Sequence, residues 1–253
     1  MAGKDRDKET GRIEEKLTEF VRRARESAGS GVEAIVLFGS AASGDFHPGL
    51  SDLNLFCVMR ESSFAALETL APAVKWWSGQ KEPPPLCMTI AELRRSTDVF
   101  TIELLDMVQH HRVLYGEDPL SGLQISTRSH RVQVEYELRE KLVLLRQHLL
   151  LSAESDSRLW DVLLQSAPSF ATLFRHALMV VNGESVASRR EAIDALSRRL
   201  NADLSAVRQV LEARENKGAR AANVKDLCAR YLAAIEQVTV AVDKALESAP
   251  ATS

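Results

Sequence analysis

The chain has 253 residues, enough for one large core or two small ones. With 45% hydrophobic and 26% charged residues it has the composition of a globular protein, neither a disordered nor a fibrous one. A net charge of −3 gives no global basic field of the kind that announces nucleic acid, and no apolar run reaches the roughly 18 residues of a membrane span.

The first ten residues are polar and expected to fray, and they lack the apolar stretch of a secretory signal, so a cytoplasmic location is expected. Ile13, Leu17, Phe20 and Val21 then recur at helical spacing up to Gly29-Ser30-Gly31. Residues 35–38, Ile-Val-Leu-Phe, are a short apolar run rich in β-branched and aromatic side chains, which predicts a buried strand. It stops at Gly39-Ser40, and a ten-residue stretch leads to a second strand opening Ser51-Asp52-Leu53-Asn54. Period-two alternation sends Asp52, Asn54 and Phe56 to one face and Leu53, Leu55 and Cys57 to the other. Polar side chains at the mouth of a buried strand are costly unless they line a site or meet a partner.

Phe64, Leu67, Leu70 and Val74 predict a helix, and Gly79 to Pro85 a breaker-rich loop. A strand is expected at Pro85–Thr89, and a helical stripe at Phe100, Leu104, Met107, Val108 and His111, which puts Glu103 and Asp106 on a helix. Gly116 and Pro119 close this region. From about residue 126 apolar residues recur every three or four positions. Leu138, Leu142, Leu145 and Leu149 mark one helix, and Leu159 to Val181 another that Pro168 is expected to kink or split. Three more follow: one capped at Ser188, one ending before Gly218, and one from about Asn223 to Glu247. Amphipathic helices joined by short loops imply a bundle. Cys57, Cys87 and Cys228 form no ligand or disulfide pattern and are expected to be buried, reduced thiols.

The apolar strand, Gly39-Ser40 and the Asp52-x-Asn54 strand together resemble the signature of the nucleotidyltransferase superfamily typified by DNA polymerase β and kanamycin nucleotidyltransferase. Val113-Leu114-Tyr115-Gly116 is similar to the end of the catalytic module in small members. The resemblance implies an α+β fold: a small mixed sheet with flanking helices over residues 1–120, then an all-α helical bundle over 121–253. It implies nucleotide binding at Gly39 and Ser40, with Asp52 and Asn54 in the catalytic, metal-holding positions and Mg²⁺ as cofactor. The implied reaction moves a nucleoside monophosphate from a nucleoside triphosphate to a hydroxyl of a small molecule or protein. In similar antibiotic-modifying enzymes a glutamate of the helical domain is the general base, and Glu135 is the candidate for that role.

Asn54 departs from the pattern, which has a second carboxylate there; an amide oxygen can ligate a hard cation but brings no charge. The expected strand at Pro85–Thr89 carries no third acid, and Glu82, Glu92, Glu103 and Asp106 lie on either side of it. Two alternatives to transfer therefore stay open: a catalytically inactive nucleotide-binding protein, and an interaction module whose helical domain forms a homodimer.

Overall fold

The computed structural model describes residues 2–43, 52–186, 188–215 and 223–247. The chain divides into two compact units, Met1–Ser126 and Thr127–Ser253.

Helix α1 spans Ala2–Ala28 and so begins well before the Ile13 stripe. The end expected to fray is helical from Ala2 onward. A single 3₁₀ turn at Gly29–Gly31 leads into β1, Val32–Phe38. Strands β2 (Asn54–Met59), β3 (Leu86–Met88) and β4 (His111–Tyr115) complete a four-stranded sheet in the order β3-β2-β1-β4. β1 runs antiparallel to β2 and β4, whereas β2 and β3 are parallel.

Both faces of this sheet are covered, which is why its central strands read as nearly continuous apolar runs. On one face Ile35, Leu37, Leu53, Leu55 and Cys57 pack with Leu17 and Phe20 of α1 and with Leu70 and Trp77 of α3, Phe64–Gly79. On the other, Ala34, Val36, Phe56 and Val58 meet Leu93 of α4 (Ile90–Arg95) and Leu104 and Met107 of α5 (Thr101–Gln109). The alternation predicted for β2 thus sorts its residues between two cores.

His111 departs from expectation. The helix carrying Phe100's successors stops at Gln109, and His111 opens β4 opposite Phe38 of β1. Pairing with β1, helped by the strand-favouring Val113 and Tyr115, overrides the helical spacing. β4 ends at Gly116, which has φ +80° and lies against β1. A Cβ there would stand 2.1 Å from the carbonyl oxygen of Glu33 and 2.9 Å from Cα of Ala34, so no other residue fits.

The second unit contains α6 (Thr127–Ser152), α7 (Asp156–Asn182), α8 (Arg189–Leu200), α9 (Ser205–Glu215) and α10 (Val224–Glu247), with no strand among the described residues. Leu138, Leu142 and Leu145 are buried as their spacing predicts, and Leu149 is half-buried. The side chains of Ser188 and Asn223 accept from the backbone N–H groups of Arg190 and Asp226, capping α8 and α10. Gly218 lies outside the described residues.

Pro168 does not split α7, which runs unbroken through it. A proline inside a helix denies the carbonyl four residues back its N–H donor. Here that carbonyl belongs to Leu164, and Nη1 of Arg214 on α9 donates to it at 2.8 Å. A charged side chain from a neighbouring helix replaces the missing backbone donor.

Gly116→Ala combines left-handed backbone strain with a collision against backbone, and should destabilise the first unit by about 2–5 kcal/mol. Chemical denaturation of the two proteins side by side is the check.

Candidate functional site

The antiparallel register places Phe38, the last residue of β1, opposite Asn54, the first of β2. β4 starts at the same end of the sheet, with His111 opposite Phe38. β3 also starts there, because it is parallel to β2 and pairs Leu86 with Phe56. One end of the sheet therefore collects the side chains that the sequence singles out.

Gly39 turns the chain out of β1 with φ +79°, and Ser40 begins the four-residue helix α2, Ser40–Ser43. The backbone N–H of Ala42 donates to the Gly39 carbonyl at 3.0 Å and closes the turn. A Cβ on Gly39 would stand 3.1 Å from Nδ2 of Asn54, so the missing side chain is what lets the asparagine amide lie over the turn. Asn54 is half-buried and Asp52, two residues before the strand proper, is exposed. The expected strand-to-helix turn at Gly39-Ser40 is present, whereas β2 begins at Asn54, later than expected.

The stretch just ahead of β2 is held by Glu82. Its Oε2 accepts from the backbone N–H of Leu53 at 2.9 Å, and its Oε1 accepts from Nζ of Lys16 at 2.8 Å. With the Glu82 side chain only 11% exposed, this is a partly buried, charge-assisted clamp between α1, the 79–85 loop and β2. The same loop is tied down by Trp77, whose Nε1 donates to the Pro83 carbonyl at 2.9 Å. Glu82 thus has a structural task. Glu92 caps α4, accepting from the backbone N–H of Thr89 at 2.7 Å, and Glu103 and Asp106 lie on α5 as their spacing predicts. On β3 the residues sharing a face with Phe56 and Val58 are Leu86 and Met88.

These residues do not fit a two-ion Mg²⁺ centre. Two divalent cations about 4 Å apart repel strongly and need bridging carboxylates. Among the polar residues at and just ahead of the mouth of β2, Asp52 is an exposed carboxylate, Asn54 is neutral, and Glu82 is already shared between Lys16 and Leu53. No group of three His, Cys, Asp or Glu side chains among the described residues is disposed to hold a metal. Beside the glycine turn the site presents a hydrogen-bond donor, Nδ2 of the Asn54 amide.

An imidazole–carboxylate pair stands at the same end. Nε2 of His111 lies 3.2 Å from Oδ1 of Asp118, which also accepts from the backbone N–H of Leu120 at 2.9 Å. Reading His111 into the preceding helix hides it; the alternation His111, Val113, Tyr115 before Gly116 was the available signal. Glu135 lies on α6 of the second unit. Its Oε1 pairs with Nε of Arg139 at 2.8 Å, and Arg139 also reaches Asp243 of α10 at 2.9 Å. Glu137 and Lys141 form a second i,i+4 pair on this helix, at 3.2 Å.

Residues 15–108 match the family model described as a nucleotidyltransferase domain. No curated protein matches the sequence. Among solved structures, a spectinomycin adenyltransferase from Enterococcus faecialis, determined with ATP and spectinomycin, is similar with a TM-score of 0.57 at 15% identity. The match covers 90% of this chain and 98% of that one. At that identity the likeness is one of fold.

Glu82→Ala leaves the Leu53 N–H without its acceptor and Lys16 without its partner, and should cost about 1–3 kcal/mol in urea unfolding. If the clamp holds the mouth of β2, hydrogen exchange at the Leu53 amide should accelerate more than exchange in α6.

Proposed function

We propose, from the nucleotidyltransferase domain that residues 15–108 form, that this protein binds a nucleoside triphosphate at the Gly39-Ser40 turn without depending on a metal. The triphosphate lies against the turn, with the Ser40 hydroxyl and the Asn54 amide donating to its phosphate oxygens. The observation that carries this reading is the Asn54 side chain packed over Gly39, where a carboxylate would repel phosphate unless a cation intervened. In this reading the protein is a nucleotide-binding one in which transfer chemistry is absent or slow, because Asn54 brings no charge to gather and hold metal.

A second reading draws on the likeness of fold, over nearly the whole chain, to an adenyltransferase. In it the protein transfers a nucleoside monophosphate to a hydroxyl of a small molecule or protein, releasing pyrophosphate. Asp52 would hold one Mg²⁺ arriving with the nucleotide, and Glu135 would serve as the base. Mg²⁺ would supply charge neutralisation on the phosphates; Gly39, Ser40 and Asn54 would orient them.

Calorimetric titration of ATP and GTP, with Mg²⁺ and with EDTA, separates these. The first reading expects affinity in EDTA to stay within about threefold of that in Mg²⁺, a difference under about 1 kcal/mol. Binding seen only with Mg²⁺, and lost in Asp52→Ala, supports the second instead. No binding under either condition removes both and leaves an interaction module. Asn54→Asp should weaken metal-free binding about tenfold, roughly 1.4 kcal/mol, and make the remaining affinity respond to Mg²⁺.

A further inference from the structure

The two cysteines of the sheet, 30 positions apart in sequence, are direct neighbours in the fold. Cys57 is the middle of β2 and Cys87 the middle of β3, and the parallel register pairs them. Paired residues on adjacent strands point to the same face, and both side chains pack into the core between the sheet, α1 and α3. Adjacent strands lie about 4.7–4.9 Å apart, within the roughly 4.4–6.8 Å between Cα atoms that a disulfide spans. Their surroundings differ. Cys57 is fully buried. Cys87 is partly exposed, on a three-residue strand at the edge of the sheet, with its neighbour Leu86 40% exposed.

We propose that Cys57 and Cys87 form an oxidisable pair, in which Cys87 takes up the oxidising equivalent from hydrogen peroxide and Cys57 resolves it to a cross-strand disulfide. The Cys87 thiolate attacks one peroxide oxygen. The O–O bond breaks and the departing hydroxide takes a proton, leaving Cys87 as a sulfenic acid and releasing water. The Cys57 sulfur then attacks Cys87 Sγ and breaks its S–O bond, and the sulfenic hydroxyl leaves as a second water with the proton of the Cys57 thiol. Two sulfurs are oxidised together by two electrons, and the peroxide is reduced to two waters.

The division of roles follows from position and hydrogen bonding. Only Cys87 is reachable from outside, so it meets the oxidant first. Hydrogen bonding between the two sulfurs lowers the Cys87 thiol below the ordinary cysteine range and, together with burial, raises that of Cys57. In the reduced state the protonated Cys87 thiol donates to the Pro85 carbonyl oxygen at 3.7 Å. Cys228 stands apart on α10, and burial pushes its thiol up to about 11, so it makes little thiolate at neutral pH.

The protein, treated with equimolar hydrogen peroxide and digested without reduction, should yield one peptide pair linked Cys57 to Cys87, with Cys228 still free. Cys57→Ser removes the resolving thiol, so dimedone should then trap Cys87 as a sulfenic acid at several times the wild-type yield. Cys87→Ser should protect Cys57 from oxidation altogether. Circular dichroism melts identify any variant that does not fold, and the wild-type peptide map decides the matter without them. A map linking Cys57 or Cys87 to Cys228, one linking two chains, or one in which Cys87 oxidises past the sulfenic acid with Cys57 still free overturns the proposal.

Discussion

The antiparallel register of β1 and β2 is the constraint on which the first unit depends. With Phe38 opposite Asn54, the chain must leave one strand and enter the other at the same end of the sheet. A slip of one residue would turn every side chain of β2 to the opposite face and exchange the contents of the two cores. Leu53 and Leu55 would then face α4 and α5, while Phe56 would be driven against Trp77. Burial of both faces therefore sets the register, and the register sets the distance from the Gly39 turn to Asn54. The Glu82 clamp adds to this by holding the Leu53 amide just ahead of the first strand pair.

A domain built this way keeps its shape when its charge changes. Asparagine and aspartate have nearly the same volume and branching, so a neutral residue at position 54 leaves the packing of β2 undisturbed. What changes is the sign of the field over Gly39. A carboxylate would require a cation between itself and any phosphate; the amide offers a proton directly. Fold and electrostatics are thus separable here, and likeness of backbone to an adenyltransferase carries no information about the second.

Features set by local pattern were legible in the sequence. The apolar runs of β1 and β2, the Gly39-Ser40 turn, the placement of Glu103 and Asp106 on a helix, and the buried stripe of α6 all follow from spacing and turn chemistry. Features set by pairing between distant segments were not. His111 follows α5 in perfect helical step, and only the hydrogen bonds offered by β1 draw it into a strand. Glu82 looks like any loop acid until Lys16 and the Leu53 amide are brought to it from 66 and 29 residues away. Cys57 and Cys87 carry no spacing motif, because their adjacency is a property of parallel register. The mouth of the site was therefore readable as a turn and two polar residues, but the fate of the remaining acids was not.

The bond from Arg214 to the Leu164 carbonyl makes two distant positions answerable to each other. With Pro168 in place, the arginine is the side-chain donor to that carbonyl, and shortening it leaves a partly buried carbonyl without that donor. With an alanine at 168 the helix supplies its own N–H, and the arginine becomes dispensable for this purpose. The effect of changing residue 214 thus depends on what occupies residue 168, and their free energies do not add. In a lineage of such sequences, the arginine could be acquired harmlessly before the proline, while the reverse order would pass through a damaged helix. Once both are present, each restricts what can happen to the other, though they are 46 residues apart and neither belongs to the sheet where the nucleotide is proposed to bind.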